Sequence, residues 1–377
     1  MSAFKRALAG EIRHLCHDRW DLAGLFLVPG VLLFLIAAML WQGAMRNLPL
    51  AVVDNDGGTA SRAMIRALDA SPMLRIAAFY QNETDAVRAV RRGDALALVH
   101  LPAGLGKGLA RRRQPVIRIF YTASFLSAGA QIANGTKEAL NDATVEVTAS
   151  QLSSHALPVS RSRRFVVEAT ALGNASTSFE WYLGMLIFPA VLHLSAACVC
   201  AMALGRELRD RSLTIWARSS GGITFALIGK MLPYVVVTSL WGVAWLVYLT
   251  LARGWRVEGS LVTIVVAQTL FYAATAAIAA FLVAATRELA TTLSISAVYA
   301  GSALAYSGAT LPLNGANAFA HVWSNVLPLP HYIAVQMGQV GDMSLVSMVA
   351  PILSLLGYVV VAGGGASVLI GIPAQRA

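Results

Sequence analysis

The chain has 377 residues, of which 57% are hydrophobic and 13% are charged, about half the charged fraction of an ordinary soluble domain. This composition excludes a soluble or a disordered protein, and three cysteines are too few for a disulfide-framed one. In so apolar a chain the net charge of +10 is typical of cytoplasmic loops beside a lipid bilayer, and not of a protein that binds nucleic acid.

The first 21 residues predict an amphipathic helix that lies along the inner membrane surface. Apolar side chains recur at helical spacing at Phe4, Leu8, Ile12 and Leu15, with Lys and Arg between them. A solvated helical extension of the first membrane span is the alternative.

Six stretches are long and apolar enough to cross a bilayer, because a hydrocarbon core of about 30 Å needs about 20 apolar helical residues. None of them contains Asp, Glu, Lys or Arg. The first is too long for a cleaved signal peptide and is followed by no small-residue cleavage site. The predicted spans are TM1 22–41, TM2 181–204, TM3 231–252, TM4 261–286, TM5 289–311 and TM6 345–370, the last five forming a transmembrane domain over 181–377.

The distribution of positive charge predicts the orientation. Eleven Lys and Arg flank the spans on the side of the two termini, mostly in 1–21 and 205–230, whereas the short loops of the other side hold only Arg253 and Arg256. The segment 312–344 contains neither Lys nor Arg, so we expect an outer loop there. By the positive-inside rule both termini face the cytoplasm, and the expected location is the inner (cytoplasmic) membrane of a bacterium.

Residues 42–180 separate the first two spans and are polar enough to fold in water. Strand-like runs alternate in them with helical patterns and turn residues, which predicts a small extracytoplasmic α/β domain. The predicted strands are 50–54, 74–80, 95–100 and 116–121, and the predicted helices are 59–68, 83–92 and 124–152. The predicted fold class is therefore an α-helical polytopic membrane protein with six transmembrane helices and an inserted extracytoplasmic α/β domain.

The chain lacks a recognisable nucleotide-binding loop. The nearest strings, at 104–108 and 228–231, have neither the required first Gly nor a Ser or Thr after the Lys. The acidic run at 54–57 resembles only the start of a calcium loop, with its Gly too early and no closing Glu, and is interpreted as a turn. We predict no catalytic, cofactor-binding or metal-binding residue in this chain.

Polar side chains inside the spans are candidates for the path of a transported molecule, because such groups are costly in lipid and tend to be functional. His193 fits a proton relay or a substrate contact, and equally a hydrogen-bonded packing residue. Gln268 is suited to join helices by a hydrogen bond. Tyrosines in the later spans can line a path for an amphipathic substrate, or pack and anchor the helices. The candidates for the path are His193, Gln268, Tyr299 and Tyr306.

Four features together resemble the permease subunits of ABC type-2 exporters, in the branch with one large extracytoplasmic domain after the first span. The layout is similar: one span, a large outer domain, then five spans. The segment 206–219 resembles the family's coupling helix, with Arg206 and Glu207 at matching positions and Ser212 in place of Thr. Two further segments similar to those of the family are 51–56 and 327–332.

The resemblance implies a permease subunit that has no ATPase site of its own. A separate ABC ATPase subunit would bind ATP and Mg at the cytoplasmic face and push on the segment 206–219 and on the N-terminal helix. Two permease chains, identical or different, would then shift against each other and export an amphipathic substrate from the cytoplasm or the inner leaflet. The outer domain could bind a periplasmic adaptor protein. The implied coupling residues are Arg206, Glu207, Arg209, Asp210 and Ser212.

Two other functions compete with transport. A membrane receptor or scaffold with a sensory outer domain explains the α/β domain, but neither the five further spans nor the coupling-like segment. An intramembrane transferase needs paired catalytic groups, and the helical part offers only His193, His321 and His331, with no carboxylate in a span to pair with them. A stable ATPase partner distinguishes transport from the receptor.

Overall fold

The computed structural model describes residues 3–41, 46–110, 115–121, 126–153, 178–213, 215–216, 222–311, 313, 315–341 and 343–376. The chain divides into two compact units, one formed by Met1–Gly43 with Thr170–Ala377 and the other by Ala44–Ala169. The first unit is helical, and the second contains a β-sheet.

The helical unit begins with an N-terminal helix that leads directly into the first membrane-crossing helix. Helix α1 covers Ala3–His17, and of its predicted apolar stripe Leu15 is buried whereas Ile12 is 48% exposed. Asp18 caps the next helix by accepting hydrogen bonds from two backbone N–H groups. That helix is continuous through α2 (Arg19–Leu22), a π-helical stretch (Ala23–Leu27) and α3 (Val28–Leu40).

The second unit is a four-stranded sheet with helices on both faces. Its elements in chain order are β1 (Leu48–Asp54), α4 (Thr59–Ala70), β2 (Leu74–Tyr80), α5 (Glu83–Arg92), β3 (Ala97–Leu101), α6 (Leu105–Ala110), β4 (Arg118–Tyr121) and α7 (Leu126–Ser153). The strand order is β2-β1-β3-β4, with β1 parallel to β2 and β3 and with β4 antiparallel to β3. The α/β prediction is confirmed, whereas α6 was not predicted.

The central strand of this sheet explains why both of its faces need helices. Alternate residues of β1 point to opposite faces, and Leu50 and Val52 pack in one apolar cluster with Met64 of α4. Ala51 and Val53 pack in a second cluster with residues of α5. A parallel strand that is apolar on both faces must be covered on both, which the crossover helices do.

Most of the helical unit follows the sheet along the chain. Within the described residues, five helices are long and apolar enough to cross a membrane: Arg19–Leu40, Glu180–Arg209, Ile223–Ala252, Leu261–Thr286 and Leu345–Ile372. They fall on five of the six predicted spans. The helices after the sheet are α8 (Phe179–Arg209), α9 (Ile223–Val247), α10 (Leu261–Thr286), α11 (Leu289–Ser302), α12 (Ala318–Val326), α13 (Pro328–Val340) and α14 (Leu345–Arg376).

The predicted span over 289–311 is shorter than expected. Helix α11 has 14 residues, fewer than the number of about 20 that a crossing helix needs, and turns and bends follow over 303–311. Tyr299 and Ala300 of α11 are nevertheless buried in the apolar core of the unit. The apolar stretch therefore forms a short helix and a turn packed against other helices.

The segment 312–344, which was expected to be a loop, is helical over most of its described residues. The described part contains α12 and α13, and ten of the 13 residues of α13 are buried. Helix α13 packs against α8, α10 and α14, and Gln336 donates a hydrogen bond of 2.5 Å to the backbone oxygen of Met185 in α8.

The ends of the helices at which the sheet unit is inserted are joined by a buried carboxylate. Glu180, at the start of α8, is 1% exposed and accepts hydrogen bonds from the Arg253 guanidinium at 2.6 and 2.9 Å. Trp255 Nε1 donates to the same carboxylate at 3.1 Å. Arg253 also donates to the backbone oxygen of Trp41 at 2.9 Å and lies over the Trp41 ring. Three membrane-crossing helices are thus held together at this end.

Candidate functional site

At the opposite end, charged side chains meet where α1 packs on α9. A Cβ atom at Gly229 would lie 2.6 Å from the backbone oxygen of Phe4 and 3.2 Å from the backbone nitrogen of Leu8. Glycine, which lacks that atom, permits this approach of the two helices. The close contact places Glu11 of α1 against Lys230 of α9.

Glu11 lies at the centre of this charge cluster. Its carboxylate is 4% exposed and accepts hydrogen bonds from Lys230 Nζ at 2.8 Å, from the Tyr234 hydroxyl at 2.6 Å and from the Arg206 guanidinium. Burial by itself raises the pKa of Glu11, but the ammonium of Lys230 and the hydrogen bonds from Lys230 and Tyr234 outweigh it and hold the pKa below its ordinary value. Glu11 is therefore ionised at neutral pH.

Arg206 connects the last turn of α8 to the N-terminal segment. Its guanidinium donates to Glu11 and also to Asp21, at the start of the first membrane-crossing helix. Asp21 lies 3.0 Å from His14 Nε2 as well. One side chain of α8 thus bonds to two successive helices at the N-terminus.

Lys230 connects α9 to the last turn of α8 and to the segment that follows it. Its ammonium donates to the Glu207 carboxylate at 3.0 Å, and the Ser212 hydroxyl donates to the same carboxylate at 2.5 Å. The ring of Trp216 lies 5.8 Å from Lys230 Nζ, within cation–π distance. These contacts attach the beginning of the segment after α8 to α9.

The charges in the cluster are paired across four segments. Two cations, Arg206 and Lys230, bond to three carboxylates, Glu11, Asp21 and Glu207. A charge that is buried without a partner costs several kcal/mol, so such groups are stable only when they are paired and hydrogen-bonded. Because the partners come from α1, α2, α8 and α9, the pairing fixes the positions of these helices relative to one another.

A cavity of about 390 Å³ lies beside the cluster, between α1 and the end of α8. Small residues of α1, Ala7 and Gly10, form part of one wall, and the segment 206–216 contributes the other. Arg209 and Asp210 also line it; their side chains are 68% and 59% exposed and pair with each other at 3.2 Å. The cavity therefore presents charged groups that a partner protein can reach.

The structure brings three of the five predicted coupling residues into the cluster. Arg206, Glu207 and Ser212 are hydrogen-bonded within it. Arg209 and Asp210 lie at the surface instead. The predicted coupling loop is also shorter than expected, because α8 continues to Arg209 and α9 already begins at Ile223. The positions of the coupling-like segment that lie outside the described residues are 214 and 217–219.

Four members of the cluster escape the sequence patterns: Glu11, Asp21, Lys230 and Tyr234. Glu11 lies three residues after Leu8 and four before Leu15, which places a carboxylate on the apolar side of the helix. That position is the feature of the sequence from which Glu11 could have been identified. Lys230 resembled a loop charge because the apolar run begins one residue later, whereas α9 begins at Ile223.

Two of the predicted path residues lie next to each other. His193 is fully buried, and its ring centroid is 5.5 Å from that of Tyr299 and 4.9 Å from that of Phe271. Among the described residues neither ring nitrogen of His193 has a hydrogen-bond partner, nor has the Tyr299 hydroxyl. These groups lie between α8, α10 and α11.

The other two path residues contact different partners. Gln268 of α10 donates to the backbone oxygen of Ser239 in α9 at 2.9 Å, and its amide fills the space above Gly242. This is the bond between helices that the sequence suggested for Gln268. Tyr306 packs edge-on against Phe319 of α12.

One group of side chains has the composition of a metal site. Ligand atoms of His14, Asp18 and Asp21 lie within 4.8 Å of one another. Asp18 already caps α2, and Asp21 already accepts from Arg206. These bonds account for both carboxylates without a metal ion.

Comparison with known proteins places this arrangement in a family. A family model described as ABC-2 family transporter protein matches residues 19–368. Neither the curated proteins nor the solved structures contain a significant match. The matched region includes the cluster residues of α8 and α9 and most of the helices that can cross a membrane. The chain therefore belongs to the ABC-2 family of membrane transporter proteins, which confirms the family that its sequence resembles.

Proposed function

We propose that this chain is the permease subunit of an ATP-driven exporter in a bacterial inner membrane. A separate ABC ATPase binds ATP and Mg at the cytoplasmic face, and this chain forms the path together with a second permease chain, identical or different. The substrate is an amphipathic molecule that leaves the cytoplasm or the inner leaflet. Membership of the ABC-2 family supports the permease role, since that family is the membrane-spanning component of such transporters.

The charge cluster is the observation that carries this proposal. It joins α1, the first membrane-crossing helix, α8 and α9 at the point where the coupling-like segment leaves α8. Arg209 and Asp210, at the surface, are within one helical turn of Arg206 and Glu207. A partner that pushes on this surface therefore moves four joined helices, because their buried ion pairs resist separation.

The distribution of charge supports an orientation in which the charge cluster faces the cytoplasm. The basic residues of α1 and of the coupling-like segment lie at the cluster end, whereas the loop at the other end holds only Arg253 and Arg256. Arg253 is in addition paired with Glu180. The positive-inside rule then places the cluster and both termini in the cytoplasm, where an ATPase subunit can bind.

We place the substrate path beside His193 and Tyr299. Polar groups without partners are costly in the interior of a membrane protein, and their presence there is typical of functional positions. These two side chains meet among α8, α10 and α11. In this role a polar group of the substrate supplies the missing hydrogen bonds.

Co-purification in detergent with candidate ABC ATPase subunits tests the proposal. ATP hydrolysis is measured for the wild type, for Arg209→Ala combined with Asp210→Ala, and for the control Arg256→Ala at the opposite end of the helices. We expect a stable complex whose hydrolysis rate falls about tenfold in the double variant, which is within the usual range of coupling between sites. The control should keep the wild-type rate.

Two results would contradict the proposal in different ways. A complex whose hydrolysis rate is the same in all variants would exclude a coupling role for the segment after α8. If no ATPase subunit binds under any nucleotide condition, the chain is better explained as a membrane receptor, and its sheet unit is then the place to search for a ligand.

A further inference from the structure

A groove of about 440 Å³ lies along the side of α14. Phe281 of α10, Asn325 of α12 and His331 of α13 form one wall. The other wall belongs to α14 and consists of Ser354, Gly357, Tyr358, Val361 and Ala362. Because α14 is long and apolar enough to cross a membrane and its exposed large side chains are aliphatic, the groove opens towards the hydrocarbon of the bilayer.

The groove is polar at one end and apolar at the other. The Tyr358 hydroxyl donates to the backbone oxygen of Asn325 and lies 3.4 Å from His331 Nε2. Along α14, residues 354–362 extend over about 12 Å, at about 1.5 Å per residue. The lining at the apolar end consists of Val361, Ala362 and Phe281. The groove therefore matches a molecule with one hydrogen-bonding end and an apolar body.

The position of the polar end and its lack of charge narrow the class of molecule that the groove can bind. Tyr358 lies near the middle of the span Leu345–Ile372, well away from the level of lipid headgroups. Of the described residues that line the groove, none is Lys, Arg, Asp or Glu. An ionic headgroup at this depth would have no counter-charge and would be costly. The groove thus favours a neutral amphiphile over a phospholipid headgroup.

The polar end is connected to the proposed path through α13. His331 is followed along the chain by Tyr332, whose ring is stacked on that of Phe271 at 5.0 Å. The ring of Phe271 in turn lies 4.9 Å from that of His193. Buried aromatic side chains of α13 and α10 therefore lie between the groove and His193.

We propose that this groove binds a neutral amphiphile dissolved in the bilayer, such as a long-chain alcohol, and passes it to the path beside His193. The hydroxyl group bonds to Tyr358 and His331, and the chain lies along the apolar end. Binding is a property of this chain alone, whereas the role of the bound molecule as a transported substrate rests on the proposed function.

Photolabelling in nanodiscs tests the binding. The full chain is labelled with a long-chain alcohol that carries a diazirine in its tail, and the labelled residues are mapped by mass spectrometry. We expect labelling within 354–362 that excess unlabelled alcohol suppresses. Gly357→Leu should reduce this labelling about tenfold, as the loss of a few methylene contacts in an apolar pocket does. A Cβ atom at Gly357 meets nothing within 4 Å, so the new side chain occupies the groove without moving the backbone.

Gly364→Leu is the matched control. Gly364 lies on the same helix, also has open space around its Cβ position, and does not line the groove. Labelling in this variant should equal that of the wild type. An equal loss in both variants, or an equal labelling by the corresponding alkane, would overturn the proposal, because the label would then report only lipid contact.

Absence of labelling at the groove with either probe would also overturn it, because the groove would then be covered, for example by a second copy of the chain. None of these results depends on an ATPase partner. Failure of the binding proposal is therefore distinguishable from failure of the proposed function.

Discussion

At the scale of single residues, Glu11 determines how the N-terminal helix is attached. Its carboxylate accepts from Lys230, Tyr234 and Arg206, on two different helices. Lys230 and Arg206 each have one further carboxylate partner, Glu207 and Asp21, so both cations keep an ion pair when Glu11 is lost. The attachment of α1 therefore depends strongly on Glu11. The pairing of charges in the rest of the cluster depends on it less.

The first prediction concerns Glu11→Gln. The pKa of Glu11 is lowered in the folded protein, so its stabilisation is complete above the ordinary value of 4.5 and is lost as the pH falls through the folded value. At neutral pH the variant should lose about 3 kcal/mol of unfolding free energy, the lower part of the range for breaking a buried ion pair. Between pH 7 and the acid range, its stability should change less than that of the wild type.

Denaturant unfolding in mild detergent at several pH values measures both effects. Glu258→Gln, an exposed carboxylate in the loop after α9, is the control and should leave the unfolding free energy unchanged. Equal losses in the two variants would show that Glu11 is not the group that attaches α1.

At the scale of elements, the docking of α1 on α9 depends on a position without a side chain. Gly229 lies under the backbone of α1, and any Cβ atom there meets the carbonyl oxygen of Phe4. Backbone cannot move aside as a flexible side chain does, so the whole helix must shift. Glu11 would shift with it, and its hydrogen bonds to α9 would lengthen.

Gly229→Ala should therefore loosen α1. The helix contains Lys5, Arg6 and Arg13, so trypsin reports its detachment. We expect cleavage within α1 to become about tenfold faster, which corresponds to a loss of about 1.4 kcal/mol in docking. Gly10→Ala is the control: its Cβ position is open, and Ala favours a helix over Gly by about 1 kcal/mol. Gly10→Ala should therefore be cleaved more slowly than the wild type. An unchanged rate in Gly229→Ala, together with cleavage of Gly10→Ala at or above the wild-type rate, would contradict this account.

Element predictions from sequence succeeded where one local period dominates. The helix Glu83–Arg92 has the predicted bounds, and the four strands are found with ends shifted by at most a few residues, because short runs rich in apolar residues between turn residues mark them. Helix α13 was missed for a physical reason. It is covered by protein on nearly all sides, so it has no polar face to mark its period, and its 13 residues are too few for a span.

At the scale of the whole helical unit, α13 is part of the core and not of an aqueous loop. Tyr332, Val335 and Gln336 are each 0% exposed, and Gln336 is bonded to α8. The helix thereby packs beside Phe271, whose ring is stacked on that of Tyr332 at 5.0 Å. Residues between the last two predicted spans thus adjoin the proposed path.

Cysteine labelling distinguishes this arrangement from an outer loop. Ile333→Cys, at a position that is 2% exposed, should not react with a membrane-impermeant maleimide, whereas His321→Cys, on the exposed surface of α12, should react. Mass spectrometry identifies the modified site despite the three natural cysteines. Rapid modification of both variants would instead show that this segment is a loop exposed to water.

The sequence by itself determined the membrane class, the apolar segments, the α/β region and the family, because each of these follows from composition, local period or a short motif. It also located the coupling-like segment. Only the tertiary structure decided that Arg206 meets Glu11 from 195 positions away, that α13 is buried, and that α14 forms one wall of a groove. The physical reason is that these features depend on which helices lie side by side, and helix packing joins residues whose separation along the chain has no local period.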